Sequence, residues 1–415
     1  MAIEYREERS FQIEQQIKNL LKDAPSCVQD FYAHMHNGKR ENTTQLSYIR
    51  DVINFIQYEN EQKYKDDVKN LKVDLFQKIE VEDLNGYRNY LKKERNLSNA
   101  SIKRKFASLS AFYSYLNMKK YVDNNPMTYF ETPSVNKKRI IKLDSELSNR
   151  LLDGIRRNDK CLIETRKGYS IADIDDATRI KRERLVLRNY AITCLFLGSG
   201  LRVSELVGLD LDDINFRQNS LTIIAKGGDE VNVFFGDDVS NALKEYINGP
   251  EDDELINQYK RKKKLFKWVS DHAADINFEL NLLKEFPTIE ECVKNDLIEL
   301  RYSFLRLGRN GLNPKKGCDA VFITTRGTRM SVRSVELMIK EMVQTYLPDY
   351  DDKDKFSPHK LRATCATRIL TQTGDIQLAS TQLNHKGIAV TAAFYAELQK
   401  EQQKEKMKKL DMKDW

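Results

Sequence analysis

Between Glu131 and Lys142 the chain reads ETPSVNKKRIIK, a polar and basic stretch in which apolar residues follow neither the helical nor the strand period. Such a stretch offers no face to bury, so residues 131–143 read as a linker that divides the chain. Division is also expected on size. At 415 residues the chain exceeds the roughly 250–300 that one hydrophobic core serves.

Upstream of the linker the sequence reads as helical throughout, with an N-terminal helical extension over 1–25 and a helical domain over 26–130. Asn42-Thr43-Thr44 can cap a helix whose Leu46, Ile49, Val52, Ile53 and Ile56 fall on one face. A second helix is expected over 82–94. A third begins at Ser98-Asn99-Ala100-Ser101 and carries Ile102, Phe106, Leu109, Phe112, Tyr113 and Leu116 on its apolar face. Asn124-Asn125-Pro126-Met127 then breaks the pattern.

Downstream, a second domain over 144–396 opens with Asp144 as a helix cap. Val186–Leu197 reads as a buried helix ending at Gly198-Ser199-Gly200. LTIIA (221–225) and VNVFF (231–235) flank Lys226-Gly227-Gly228 and read as a hairpin, and AVFIT (320–324) as a further strand. Residues 251–315 turn highly charged and helical, with KRKKK at 260–264, and read as an insertion. Helices are expected from Ser331, Ser357 and Asp375, and a charged tail follows over 397–415. The fold class is therefore mainly α with a small antiparallel sheet.

Composition removes several function classes. No apolar run approaches the ~20 residues that span a bilayer, and the N-terminus lacks the apolar core of a signal peptide. A cytoplasmic protein with no membrane partner is expected. Six cysteines are scattered without a CxxC pair, which argues against structural zinc and a disulfide scaffold; Cys194 and Cys365 lie in apolar contexts that suggest burial. There is no GxxxxGK[ST] loop and no carboxylate cluster, so neither ATP nor a metal, nor any other cofactor, is expected.

Charge points to a polyanion. The net charge is +7, yet segment 101–150 alone holds ten basic residues against four acidic ones. Lys103, Arg104 and Lys105 fall near the start of the third helix, where they could meet phosphates, and Lys137, Lys138 and Arg139 fall in the linker. These six are the candidate nucleic-acid contacts. On charge alone, a solvated helix face fits equally well.

Three local arrangements can carry chemistry. Gly198-Ser199-Gly200-Leu201-Arg202 places an arginine fork just after a glycine-rich helix end, although an arginine so placed more often forms a structural ion pair, here with Glu205 one turn on. Ser357-Pro358-His359-Lys360-Leu361-Arg362 puts His359 and Arg362 on one face of a first helical turn, with Ser357 as N-cap and Pro358 at the first helical position. A helix N-terminus already favours anions. Third, His385 sits in Leu383-Asn384-His385-Lys386-Gly387, ten residues before Tyr395, one of 19 tyrosines. Each of these arises readily by chance.

Taken in order, Arg202, Lys226, His359-x-x-Arg362, His385 and Tyr395 resemble the tyrosine recombinase (phage integrase and Xer-like) family. The local wording GSGLRVSEL, SPHKLRAT and LNHKGIAVT matches as well. The resemblance implies a helical core-binding domain plus a mixed α/β catalytic domain, and those six residues as the catalytic set. It departs in three places. Asp229-Glu230 follow the Lys226 turn where the family commonly carries basic residues. The interval from His385 to Tyr395 is one residue longer than usual, and the 133 residues from Lys226 to His359 far exceed the minimal proteins.

Attack on a phosphodiester builds negative charge on non-bridging oxygens, where preorganised donors contribute most. Arg202 and Arg362 suit that task, with His359 and His385 adding hydrogen bonds. Tyr395 as nucleophile needs help losing its proton, for which His359 is placed, and Lys226 on its hairpin suits protonation of the leaving oxygen. The resemblance implies a 3′-phosphotyrosine intermediate, a specific site in double-stranded DNA, a homotetramer on two duplexes, a nucleoid-associated protein of a mobile genetic element, and room for accessory DNA-bending or directionality proteins. A type IB topoisomerase, a hairpin telomere resolvase or a non-catalytic DNA-binding protein of the same fold stay open. The tail, with Leu398, Met407, Leu410, Met412 and Trp415, is expected to dock on a neighbouring protomer.

Overall fold

The computed structural model describes the chain except residues 1, 39, 136–138, 158–175, 226–227, 249–261, 273–277, 306–311, 313, 385–391, 393–394, 397–398, 401–402, 405–406 and 408–415. Two compact units emerge, one over Ile3–Lys138 and one from Arg139 onward.

Among its described residues the first unit contains helices and no strand. Its principal helices are α1 (Ala2–Leu21), α2 (Ser26–Asn37), α3 (Asn42–Glu59), α4 (Asp74–Gln77), α5 (Val81–Lys93) and α6 (Asn99–Met118). α6 forms where expected because the Ser98 hydroxyl accepts the Ser101 N–H at 3.3 Å, capping its first turn. Asn42, expected as a cap, lies inside α3, and its side chain instead donates to Ser10 and Glu14 of α1. The core is aromatic. Phe112 meets Phe31 and Phe76 edge-on at 5.2 Å each, and Phe106 stacks on Phe130 at 4.3 Å.

The second unit begins with α7 (Ser145–Arg157), capped by Asp144, whose carboxylate accepts the Leu147 N–H at 2.8 Å. Then comes α8 (Asp176–Ser199), whose last turns are buried and pack against α10 (Asp237–Asn248) and α15 (Pro358–Thr373). Between them lie the short helix α9 (Val203–Gly208) and a three-stranded antiparallel sheet, β1 (Ile214–Asn215), β2 (Ser220–Ile224) and β3 (Glu230–Phe234). Ile224 pairs with Glu230 across the expected hairpin, and Lys226 and Gly227 at its tip lie outside the described residues. The architecture is mainly α with a small antiparallel sheet.

Within the charged segment, α11 (Lys263–His272), α12 (Phe278–Glu285) and α13 (Glu291–Leu305) gather a small core of their own around Val269, Leu282, Leu297 and Leu300. α14 (Val332–Tyr346) starts at Ser331, whose hydroxyl accepts the Ser334 N–H, and α16 (Ile376–Gln382) starts at Asp375, which caps Leu378. The strand expected over 320–324 is not one. Ala320–Ile323 are buried, but their backbone divides its pairing: Val321 donates to the Leu209 carbonyl, and the Phe322 carbonyl accepts from Met330. Divided between two neighbours, the run makes only isolated bridges. Ser357 precedes α15 as expected, but its hydroxyl makes no cap; its backbone carbonyl accepts the Lys360 N–H instead.

Candidate active site

Arg202 occupies the N-cap position of α9, and Glu205 at the third helical position accepts its backbone N–H at 2.7 Å. The other Glu205 oxygen takes Nη1 of the Arg202 guanidinium at 2.6 Å. The sequence left open whether Arg202 is a phosphate donor or the partner of Glu205. The pair exists, and it leaves part of the side chain facing solvent, 25% exposed.

Arg362, one turn into α15, points at the same carboxylate, with Nη1 3.9 Å from Glu205 Oε2. Its closer bonds go to backbone. Nη1 donates to the Gly200 carbonyl at 2.5 Å, and Nη2 donates to the Leu383 carbonyl at the end of α16. Nη2 of Arg202 takes the next carbonyl along, that of Asn384, at 3.0 Å. The negative end of α16 thus rests on both guanidiniums.

This geometry makes two demands on the chain. Gly200 sits at φ +67°, and a Cβ there would fall 2.4 Å from Leu383 Cδ2 and 3.2 Å from Cys365 Sγ. A side chain would therefore push apart the segments that Arg362 joins. Asn384 reverses the chain at φ +47°, a conformation asparagine tolerates better than most, and so turns its carbonyl toward Arg202.

Among the described residues, the two guanidiniums share one carboxylate within ion-pair distance, that of Glu205. Burial, reinforced by the charge of Arg202 and opposed by Glu205, brings the Arg362 pKa down to about 10, so it stays protonated at neutral pH. His359 lies in the first turn of α15 and is exposed. Partial burial of the ring, then the positive charges of Arg362, Lys360 and Arg202, opposed by Glu336, depress its pKa below the ordinary histidine value. The shift favours the neutral imidazole, able to accept a proton, beside three cations.

Of the six expected catalytic residues, the structure brings Arg202, His359 and Arg362 together. Lys226 and His385 lie outside the described residues, although the base of the Lys226 hairpin is tied to α16 by Gln382, whose amide donates to the Phe234 carbonyl at 2.5 Å. Tyr395 is helical and half-buried. Glu205 joins the set as the carboxylate that aligns both arginines. No cluster of three or more metal-ligating side chains occurs among the described residues, and no described helix is long and apolar enough to cross a membrane.

Three of the six candidate nucleic-acid contacts have internal partners. Arg104 and Lys105 both bond Asp51, which is buried, whereas Lys103 is exposed. Arg139 pairs with Asp352, which Lys355 also reaches at 3.4 Å. Lys137 and Lys138 lie outside the described residues.

The model of the phage integrase family matches residues 171–276 and 293–402, and that of the phage integrase N-terminal SAM-like domain matches 28–123. Among curated relatives, the tyrosine recombinase XerC of Caldanaerobacter subterraneus subsp. tengcongensis is 25% identical over 383 residues, 89% of this chain and 82% of the relative. The tyrosine recombinase XerD of Oceanobacillus iheyensis is 27% identical over 330 residues, 78% of this chain and 98% of the relative. A crystal structure of the XerH site-specific recombinase, bound to palindromic difH substrate in a post-cleavage complex, aligns with a TM-score of 0.54. The alignment covers 94% of this chain and 88% of that one at 14% identity, a likeness of fold.

The charge balance predicts a specific titration. By NMR, the His359 midpoint should lie below the ordinary value of about 6.5. Lys360→Gln should move it upward by removing one of the three facing cations. A midpoint at or above the ordinary value would contradict the crowding of positive charge described here.

Proposed function

This chain belongs to the phage integrase family, and from that premise we propose that it is a tyrosine-type site-specific recombinase that cuts and rejoins double-stranded DNA through Tyr395. The observation that carries the reading is the convergence of Arg202 and Arg362 on the single carboxylate of Glu205, beside neutral His359 at a helix N-terminus. A phosphodiester supplies the negative charge that this arrangement lacks.

In the proposed reaction the Tyr395 oxygen attacks the scissile phosphorus as the bond to the 5′-oxygen breaks. The tyrosine proton passes to a base, for which His359 is suited because its surroundings keep it neutral. The N–H groups of Arg202 that have no acceptor among the described residues face the developing charge on the non-bridging oxygens, and Arg362 supports them from behind. His385 adds a further hydrogen bond. Lys226 protonates the departing 5′-oxygen. The product is a 3′-phosphotyrosine with a free 5′-hydroxyl. One ester replaces another, so the phosphoester bond is conserved, and religation requires neither ATP nor a metal.

Residues 26–130 serve as the core-binding domain and 144–396 as the catalytic domain, with the linker at 131–143 and the insertion at 251–315. Exchange of four strands by an enzyme with one tyrosine calls for four protomers on two duplexes, working in the cytoplasm on nucleoid DNA with accessory DNA-bending or directionality proteins where the site requires them. Within that assembly we place the tail beyond Tyr395 on a neighbouring protomer. Met407, helical and 60% exposed, is one of its apolar anchors.

The direct experiment offers the protein duplexes nicked beside candidate sites and traps covalent adducts. Tyr395→Phe should retain specific binding and lose the adduct; adduct formation near the parent level would remove Tyr395 from its role. Supercoil relaxation without a preferred site, or hairpin products, would redirect the reading toward a topoisomerase or a telomere resolvase. Arg202→Lys and Arg362→Lys keep charge but lose the planar fork, so cleavage should fall far more than DNA affinity, by on the order of 10²-fold or more. Normal cleavage by both would place the phosphate clamp elsewhere. Deleting residues 399–415 should leave half-site binding intact and reduce cooperative binding to the full site. Unchanged cooperativity and recombination would show that the tail takes no part in assembly.

A further inference from the structure

On α3, Asp51 is 2% exposed and holds four donors at once. Arg104 donates Nη1 to Oδ2 at 2.7 Å and Nη2 to Oδ1 at 3.2 Å. Lys105 donates to Oδ1 at 2.7 Å, and the buried Ser108 hydroxyl to Oδ2 at 3.0 Å. A carboxylate offers about four lone-pair positions, so Asp51 is saturated. Neutralising its charge needs one cation, and it has two. Lys105, 15% exposed, lies inside the cluster; Arg104, 53% exposed, forms its outer wall.

A guanidinium has two bidentate edges, one formed by the two terminal nitrogens and one by Nε with its neighbour. Asp51 occupies the terminal edge. The Nε–H of Arg104 has no acceptor among the described residues. The side chain is therefore held at two points with its second edge open, next to exposed Lys103 and in the second turn of a helix whose N-terminus favours anions.

We propose that Asp51 is a positioning residue that presents the free edge of Arg104 to a DNA phosphate, while Lys105, on the same carboxylate, serves only to neutralise it. This rests on the DNA-binding function proposed above and assigns different tasks to two adjacent cations that sequence cannot tell apart. An arginine fixed before binding gives up less side-chain freedom when the phosphate arrives.

The test uses the full chain and a fluorescein-labelled duplex of arbitrary sequence, because phosphate contacts are sequence-independent, titrated between about 50 and 200 mM salt. Arg104→Gln should reduce the slope of log affinity against log salt by about 0.9, the loss of one contact. Lys105→Gln should leave the slope unchanged while lowering the thermal midpoint. Asp51→Asn, its fold checked by circular dichroism, removes a negative charge near a polyanion. Coulomb's law alone would tighten binding, whereas loss of positioning should weaken it by about two- to tenfold. An Arg104→Gln slope equal to the parent's, an equal loss of slope in Lys105→Gln, or tighter binding by Asp51→Asn overturns the proposal and leaves the proposed function standing. A parent chain that binds the duplex without salt dependence overturns both.

Discussion

Arg362 is a buried guanidinium whose two strong hydrogen bonds end on the backbone carbonyls of Gly200 and Leu383, 162 and 21 residues away in the chain. Much of the surrounding structure follows from satisfying it. Burying that charge is costly unless its donors are met, and the acceptors are the end of α8 and the end of α16. Gly200 must then lack a side chain, Asn384 must turn sharply, and Glu205 must lie close enough to offset the charge. Arg202 completes the clasp through the same carboxylate and the next carbonyl.

The proposed phosphate chemistry rests on the same clasp. The arginines are fixed by protein atoms before any substrate arrives, so little reorganisation remains for the reaction itself. Burial of the His359 ring, and then the positive charge of Arg362, Lys360 and Arg202, lower its pKa and so favour the neutral imidazole that can accept a proton. Both guanidiniums bond carbonyls that come just before His385 in the chain, those of Leu383 and Asn384.

What could be read from the residues follows a physical boundary. Local signals were legible: Ser98, Ser331, Asp144 and Asp375 cap helices because their partners lie three residues on. Glu205 was legible as the partner of Arg202 for the same reason. The resemblance pointed to Arg202, His359 and Arg362, which the structure brings together; Lys226 and His385 lie outside the described residues. Long-range pairs were not. Asp51 lies 53 residues from Arg104 and Asp352 lies 213 from Arg139, and no local pattern joins them. Nor does a side chain announce that the carbonyls of Gly200, Leu383 and Asn384 will be acceptors. The run at 320–324 had the composition of a strand, and only the placement of its neighbours decided that it would make isolated bridges.

The account stands on Tyr395 being the residue joined to DNA when the arginine clasp engages a phosphate. The most direct measurement is to digest a trapped protein–DNA adduct with protease and nuclease and sequence the modified peptide by mass spectrometry. The account predicts a nucleotide remnant on Tyr395 alone, attached through the 3′-phosphate. A remnant on any other of the 19 tyrosines, or a 5′-phosphate linkage, would contradict it.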